Sequence, residues 1–221
     1  MRARTARSFF KHEIVALGIP AAVMRAFARE RAELLAEWSI DALVRLCDRL
    51  LEEPEIEIRM VGPLILARRR KHLTAALLPH ASRWLKRRLD NWALVDGFCG
   101  EVLAPMLTSV PEVETALRRW SKSPVLWQRR AALVTLVPHA RHGERLDLAY
   151  ELAAAHLHDP EDLMHKATGW LLREAGRKDR PRLKRFLLKN GSAVPRTALR
   201  YALEHFPTEE RRVVMTATRG E

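Results

Sequence analysis

Apolar residues recur along most of this chain at intervals of three and four, as in Leu43, Leu46, Cys47, Leu50 and Leu51. That spacing gathers side chains on one face of a helix, because residues i, i+3, i+4 and i+7 overlie one another. Ala, Leu, Arg and Glu dominate, all strong helix formers. The strict alternation of a half-buried strand is found in no segment. Prolines punctuate the pattern at Pro54, Pro79, Pro111, Pro124, Pro160, Pro181, Pro195 and Pro207, where helices should start or stop, since proline lacks an amide hydrogen and crowds the preceding turn. The segments between them, mostly about 12 to 18 residues, pair off as helical hairpins.

From Pro111 to Pro207 the pattern repeats. Three second helices open on basic clusters: Trp127-Gln128-Arg129-Arg130-Ala131, His165-Lys166-Ala167 and Pro195-Arg196-Thr197-Ala198. Arg130, Lys166 and Arg196 lie 36 and then 30 residues apart, within the period of helical-pair repeats. The predicted fold is all-α, an α-solenoid of HEAT- or armadillo-like repeats with one curved, concave groove. It would form a single helical-repeat domain over residues 1–221, with 1–10 flexible or a short helix. The same helix of each repeat lines such a groove, so Arg129, Arg130, Lys166, Arg173, Arg196 and Arg200 should stack into a basic stripe with few acidic neighbours at i+4 to neutralise it.

Charge sharpens this picture. The 221 residues hold 39 Lys and Arg against 27 Asp and Glu, a formal charge of +12, with an isoelectric point near 10.6. Such an excess implies an anionic partner, nucleic acid first and a membrane surface second; a merely basic protein from an arginine-rich proteome is the plain alternative. No run reaches the roughly 18 apolar residues of a membrane span, and Lys11, His12 and Glu13 interrupt any signal-peptide pattern after Arg2, Arg4 and Arg7. A cytoplasmic, nucleoid-associated monomer is expected, with no membrane partner. The two cysteines, Cys47 and Cys99, form no CxxC pair and read as buried thiols.

Several chemistries are missing. There is no HExxH, although His12-Glu13 starts like one, and His139 and His142 read as loop residues without ligand partners at metal spacing. Glycine-rich phosphate loops and the GxSxG elbow are absent too. Neither metal nor cofactor is expected. Six tryptophans stand out instead. Trp38, Trp84, Trp120 and Trp127 read as packing residues. Trp92 lies four residues before Asp96, and Trp170 lies four after Lys166 and three before Arg173, so each shares a helix face with charged groups. Asp96, inside the apolar helix Trp92 to Leu103, needs a partner or a purpose. An ion pair with Arg129 or Arg130 is the structural alternative.

Taken in order, Trp92-xxx-Asp96, Trp127-Gln128-Arg129-Arg130-Ala131-Ala132 and Lys166-Ala167-Thr168-Gly169-Trp170-Leu171-Leu172-Arg173-Glu174 resemble the DNA alkylation repair family of the AlkD type. Pro195 to Ala202 looks like its last repeat, and Phe9-Phe10-Lys11 and Gly18-Ile19-Pro20 like its N-terminal stretch. The likeness is strongest from about residue 84 to 206 and weakest over residues 22–75. It implies HEAT-like repeats wrapped around duplex DNA that carries alkylated purines, and excision of N3- and N7-alkylated purines without base flipping. It assigns Trp92, Asp96 and Trp170 to the damaged nucleotide's sugar and Arg130 to a neighbouring phosphate. Some relatives lack the catalytic residues, so a catalytically inactive DNA-binding scaffold of the same fold is the first rival reading. A solenoid that recognises an acidic protein is the second.

The chemistry so implied is economical. A purine alkylated at N3 or N7 is cationic and leaves neutral, so no general acid is required. An ionised Asp96 would stabilise the sugar cation, and opposite charges about 4 Å apart interact by roughly 4 kcal/mol at an effective dielectric near 20. The indole faces would add roughly 0.5–2 kcal/mol each of cation–π attraction. No lysine stands out as a lyase nucleophile, so base release alone is expected.

Overall fold

A computed structural model describes residues 13–219; the Phe9-Phe10-Lys11 motif and the expectation for residues 1–10 lie outside them. The helices run α1 (Ala21–Leu34), α2 (Ile40–Leu50), α3 (Ile56–Arg68), α4 (Leu78–Arg87), α5 (Trp92–Phe98), α6 (Ala104–Ser109), α7 (Glu112–Ser121), α8 (Leu126–Val134), α9 (Val137–His142), α10 (Leu146–Ala155), α11 (Asp162–Gly176), α12 (Arg180–Asn190), α13 (Arg196–Ala202) and α14 (Thr208–Ala217). Among the described residues there is no strand, only an isolated bridge between Val15 and Glu55. The all-α helical-pair architecture is therefore observed. The chain divides between Val113 and Glu114 into two compact units.

In the first unit α3 is central, packing against α1, α2 and α5. Its face admits close neighbours because Gly62 carries no side chain: a Cβ there would stand 2.9 Å from Cys47 Sγ and 3.0 Å from Cys47 Cα. Pro63, inside α3, is one proline that does not mark a boundary. Trp84 is fully buried, meets Phe98 edge-on at 5.7 Å and donates its indole N–H to Asp48 at 2.6 Å. Buried Glu57 accepts the backbone N–H groups of Leu17, Gly18 and Ile19 at 3.0, 2.7 and 3.2 Å, pinning the segment before α1. Both cysteines are free and buried, and burial, with the charge of Asp48, pushes the Cys47 thiol far above its ordinary range.

In the second unit the three basic-cluster helices do stack: α11 lies against α8 on one side and α13 on the other. Gly169 makes the α11–α13 contact possible. A Cβ on it would fall 2.5 Å from Tyr201 Cβ and 2.6 Å from the Ala198 carbonyl oxygen. Because backbone cannot yield as a side chain tip does, Gly169→Ala should cost about 1–3 kcal/mol, read as a lower midpoint in urea unfolding. Behind α8, buried His156 bridges Ser121 (2.9 Å) and Asp159 (3.2 Å). Burial holds His156 below its ordinary pKa, with Asp159 opposing.

Two expectations are corrected here. Trp38 is 43% exposed rather than packed, because it lies in the link between α1 and α2, where no helix face turns it inward. His139 and His142 belong to α9, not a loop, and His139 is buried against Glu144 at 2.9 Å. Trp84 and Trp120 are buried as expected, whereas Trp127 is only half-buried.

Candidate nucleic-acid interface

The candidate residues fall on two surfaces, one in each unit. On the first, Asn91 caps α5, its Oδ1 accepting the Leu94 amide at 3.1 Å; side-chain capping of this kind fixes where a helix begins. Trp92 is thereby the first residue of α5, and Asp96 follows one turn later on the same side. Leu94, Val95 and Phe98 turn inward and are buried, while Trp92, Ala93, Asp96 and Gly97 are half-buried. Asp96 thus lies at the boundary of core and solvent, beside an indole, and not within the apolar face.

The helix then widens. Residues Cys99–Leu103 form a π turn, with the Ala104 amide reaching back to Cys99. Pro105 explains it: it has no amide for the Glu101 carbonyl, and its ring crowds that turn. Insertions of this kind re-aim side chains and recur at functional sites. The apolar helix expected over Trp92 to Leu103 is thus α-helical to Phe98 and π-helical from Cys99.

On the second unit, Lys166, Trp170 and Arg173 share a face of α11 and are all half-buried. Trp170 Nε1 is itself buried without a hydrogen-bond partner among the described residues. Arg130 is buried and donates Nη1 to the Leu163 carbonyl at 2.6 Å, which ties α8 to α11. Arg196 and Arg200 lie at the start and end of α13; Arg196 reaches the Met215 carbonyl at 3.3 Å and Arg200 the Thr197 hydroxyl at 3.4 Å.

The expected lack of acidic neighbours is not observed. Arg129 is committed to structure, with Nε and Nη2 on Asp159 at 2.7 and 3.3 Å and Nη1 on the Ser123 and Pro124 carbonyls. Lys166 pairs with Asp162 at 2.8 Å, and Arg173 pairs with Glu174 and Glu204. Asp159 and Glu204 stand 30 and 31 residues from their partners. They come from the following repeat, where counting along one helix does not reach. Burial would raise the Asp159 carboxyl, but Arg129, the Glu161 amide and His156 outweigh it and hold it below the ordinary range.

One aromatic-basic surface escaped the sequence reading. Trp38 lines a cavity of about 360 Å³ with Arg45 and Arg49; the signal available was the i, i+4 spacing of the two arginines. Among the described residues no cluster of three or more His, Cys, Asp or Glu is placed to hold a metal, and no helix is long and apolar enough to cross a membrane.

Residues 1–206 match the family model for DNA alkylation repair enzymes. The chain belongs to that family. Membership supports a role in the repair of alkylated DNA, with DNA as substrate. This DNA alkylation repair family member is also similar to a solved structure described as a predicted DNA alkylation repair enzyme from Enterococcus faecalis. The TM-score is 0.82 at 17% identity, covering 94% of this chain and 95% of that one, a likeness of fold. No curated protein matches the chain.

Proposed function

We propose that this family member is a monofunctional DNA glycosylase that hydrolyses the N-glycosidic bond of cationic alkylated purines, 3-methyladenine and 7-methylguanine, in duplex DNA, without flipping the base. The observation that carries the reading is the position of Asp96. It is a half-buried carboxylate one turn from a half-buried indole, on a helix whose other face is fully buried.

The mechanism follows from charge. The alkylated purine leaves as a neutral molecule, so protonation of the leaving group contributes nothing. Positive charge accumulates on the deoxyribose as the bond breaks, and an ionised Asp96 stabilises it more than it stabilises the ground state, which is what lowers a barrier. The face of Trp92 offers a negative quadrupole to that cation, and Trp170 gives the second unit's surface an indole for packing against DNA. Asp96 also orients the attacking water. Lys166, Arg173, Arg196 and Arg200 hold phosphates without reading sequence. Arg130 is assigned to a neighbouring phosphate, with its Nη1 on the Leu163 carbonyl bracing α8 against α11. Arg129, saturated by Asp159 and two carbonyls, supports the surface rather than the DNA.

The rival scaffold keeps the surfaces and assigns Asp96 to structure. Lesion selectivity tests the enzymatic reading. Incubation with methylated duplex, followed by chromatography of freed bases, should yield 3-methyladenine and 7-methylguanine, with uracil-containing duplex left intact. Uracil is neutral and needs a proton to leave, so its efficient release would remove the electrostatic argument.

A further inference from the structure

A second site lies in the second unit, where α11 ends and α12 begins. A cavity of about 480 Å³ opens there, lined by Arg173, Arg177, Lys178, Arg180, His205 and Phe206, with Leu183 and Ala202 among its apolar walls. Four fixed cations around one cavity repel each other unless something anionic offsets them. Glu174 and Glu204 do so only for Arg173 and Arg177. Among the described residues no carboxylate pairs with Lys178 or Arg180.

The cations are also held in place. Arg177 rests its Nε on buried Glu174 at 2.8 Å and donates Nη2 to His205 Nε2 at 3.3 Å. An arginine only donates, so His205 accepts through Nε2, and its Nδ1 keeps the proton as a further donor. The Arg180 guanidinium lies over the Phe206 ring, 5.6 Å from its centroid. Lys178 packs its stem against the Gly143 turn, where a Cβ would stand 3.3 Å from Lys178 Cβ and Cγ. Gly176 permits the close approach of α11 and α12 beside these groups, since a Cβ there would fall 2.3 Å from Leu183 Cδ2.

From this arrangement we infer a phosphate-binding pocket. Oriented guanidinium forks, an ammonium and an imidazole donor match the several acceptor oxygens of a phosphate better than a single carboxylate. The volume exceeds one bare anion, so the phosphate belongs to a larger molecule. Lys166, Trp170 and Arg173 follow one another at i, i+4 and i+7 along one face of α11, and Arg177, its C-cap in helical conformation at i+11, carries that face into the pocket. A nucleic-acid backbone and a free mononucleotide present the same chemistry. The inference stands apart from the glycosylase reading, because none of the pocket's new residues takes part in the Asp96 chemistry.

The test uses the full chain and three probes: inorganic phosphate, dAMP and an undamaged duplex. His205 imidazole resonances report occupancy, and fluorescence anisotropy at several salt concentrations reports duplex binding. Arg177→Gln/Arg180→Gln should lose saturable shifts of His205 with phosphate, weaken the duplex about tenfold and lower the slope of log affinity against log salt by one to two. Phe206→Leu, which keeps every charge but removes the platform of Arg180, should weaken the same probe severalfold. Arg211→Gln/Arg212→Gln, on α14, removes the same two charges outside the pocket and controls for net charge. If phosphate and dAMP shift His205 while the duplex slope stays constant, the pocket takes a free phosphorylated molecule. If neither phosphate nor dAMP moves His205 and the pocket double variant binds duplex like Arg211→Gln/Arg212→Gln, the pocket is not a phosphate site. Base release from saturating methylated duplex should persist in the pocket double variant, which separates its outcome from that of the glycosylase reading.

Discussion

Asp96→Asn should slow release of 7-methylguanine from methylated duplex by about two to three orders of magnitude under single-turnover conditions. The figure comes from the interaction at stake: a carboxylate about 4 Å from a developing cation gains roughly 4 kcal/mol at an effective dielectric near 20, a factor of about a thousand. Asp96 is half-buried, so solvent screens part of that gain, which sets the lower end. Asparagine keeps the size and the polar atoms while discarding the charge, so α5 and its cap should stand. Duplex affinity, measured by anisotropy, should therefore hold within a factor of two or three. Unchanged release with unchanged binding would remove Asp96 from the chemistry and assign it to structure. Joint loss of both would trace to misfolding, which the far-ultraviolet circular dichroism of the variant decides.

The largest expected effect on stability belongs to Glu174. Its side chain has no solvent exposure, yet it meets Arg141 at 2.9 Å, Arg177 at 2.8 Å and Arg173 at 3.1 Å. Burial would raise its pKa, but the hydrogen bonds and charges of Arg141, Arg173 and Arg177 overcome that and hold it below the ordinary range. Glu174→Gln leaves three guanidinium groups converging on a neutral amide. Breaking a buried pair costs about 3–5 kcal/mol, and because Arg141 and Arg177 are nearly half-exposed the expected cost here is about 2–3 kcal/mol. In a chain of this size that lowers Tm by roughly 4–12 °C. The pH dependence has a definite sign. A carboxyl depressed in the folded state stabilises it fully above its unfolded pKa, near 4.5, and that stabilisation is lost as pH falls through the folded value. The native protein should lose Tm steeply below about pH 4.5, and Glu174→Gln should lose less over the same range. A variant with the native midpoint and the native acid limb would mean that the network contributes nothing net.

Some of the candidate site was legible because it depends on local geometry. Trp92 and Asp96 share a side of α5 because residues four apart always do on a helix, and the Asn91 cap that starts the helix is an ordinary sequence signal. The same rule placed Lys166, Trp170 and Arg173 together. What failed were inferences about which charged partners reach a side chain. Arg129 looked like a groove cation, and its partner Asp159 lies one repeat on. Arg173 looked unneutralised, and Glu204 lies one repeat on. Trp38 looked like packing because tryptophan usually is, but it falls in a link that presents no buried face.

The periodicity of apolar residues, the strong helix formers and the proline punctuation determined by themselves that this chain is all-α and built of paired helices, since those features act within one or two turns. The order of its aromatic and acidic motifs likewise determined the family. Tertiary structure alone decided which arginines are spent on carboxylates, where Gly169 and Gly176 let helices close, and that Arg177, Lys178 and Arg180 meet His205 and Phe206 around one cavity. Those outcomes depend on which side chains adjacent repeats bring face to face, and Coulomb attraction and close packing act across space without regard to separation along the chain.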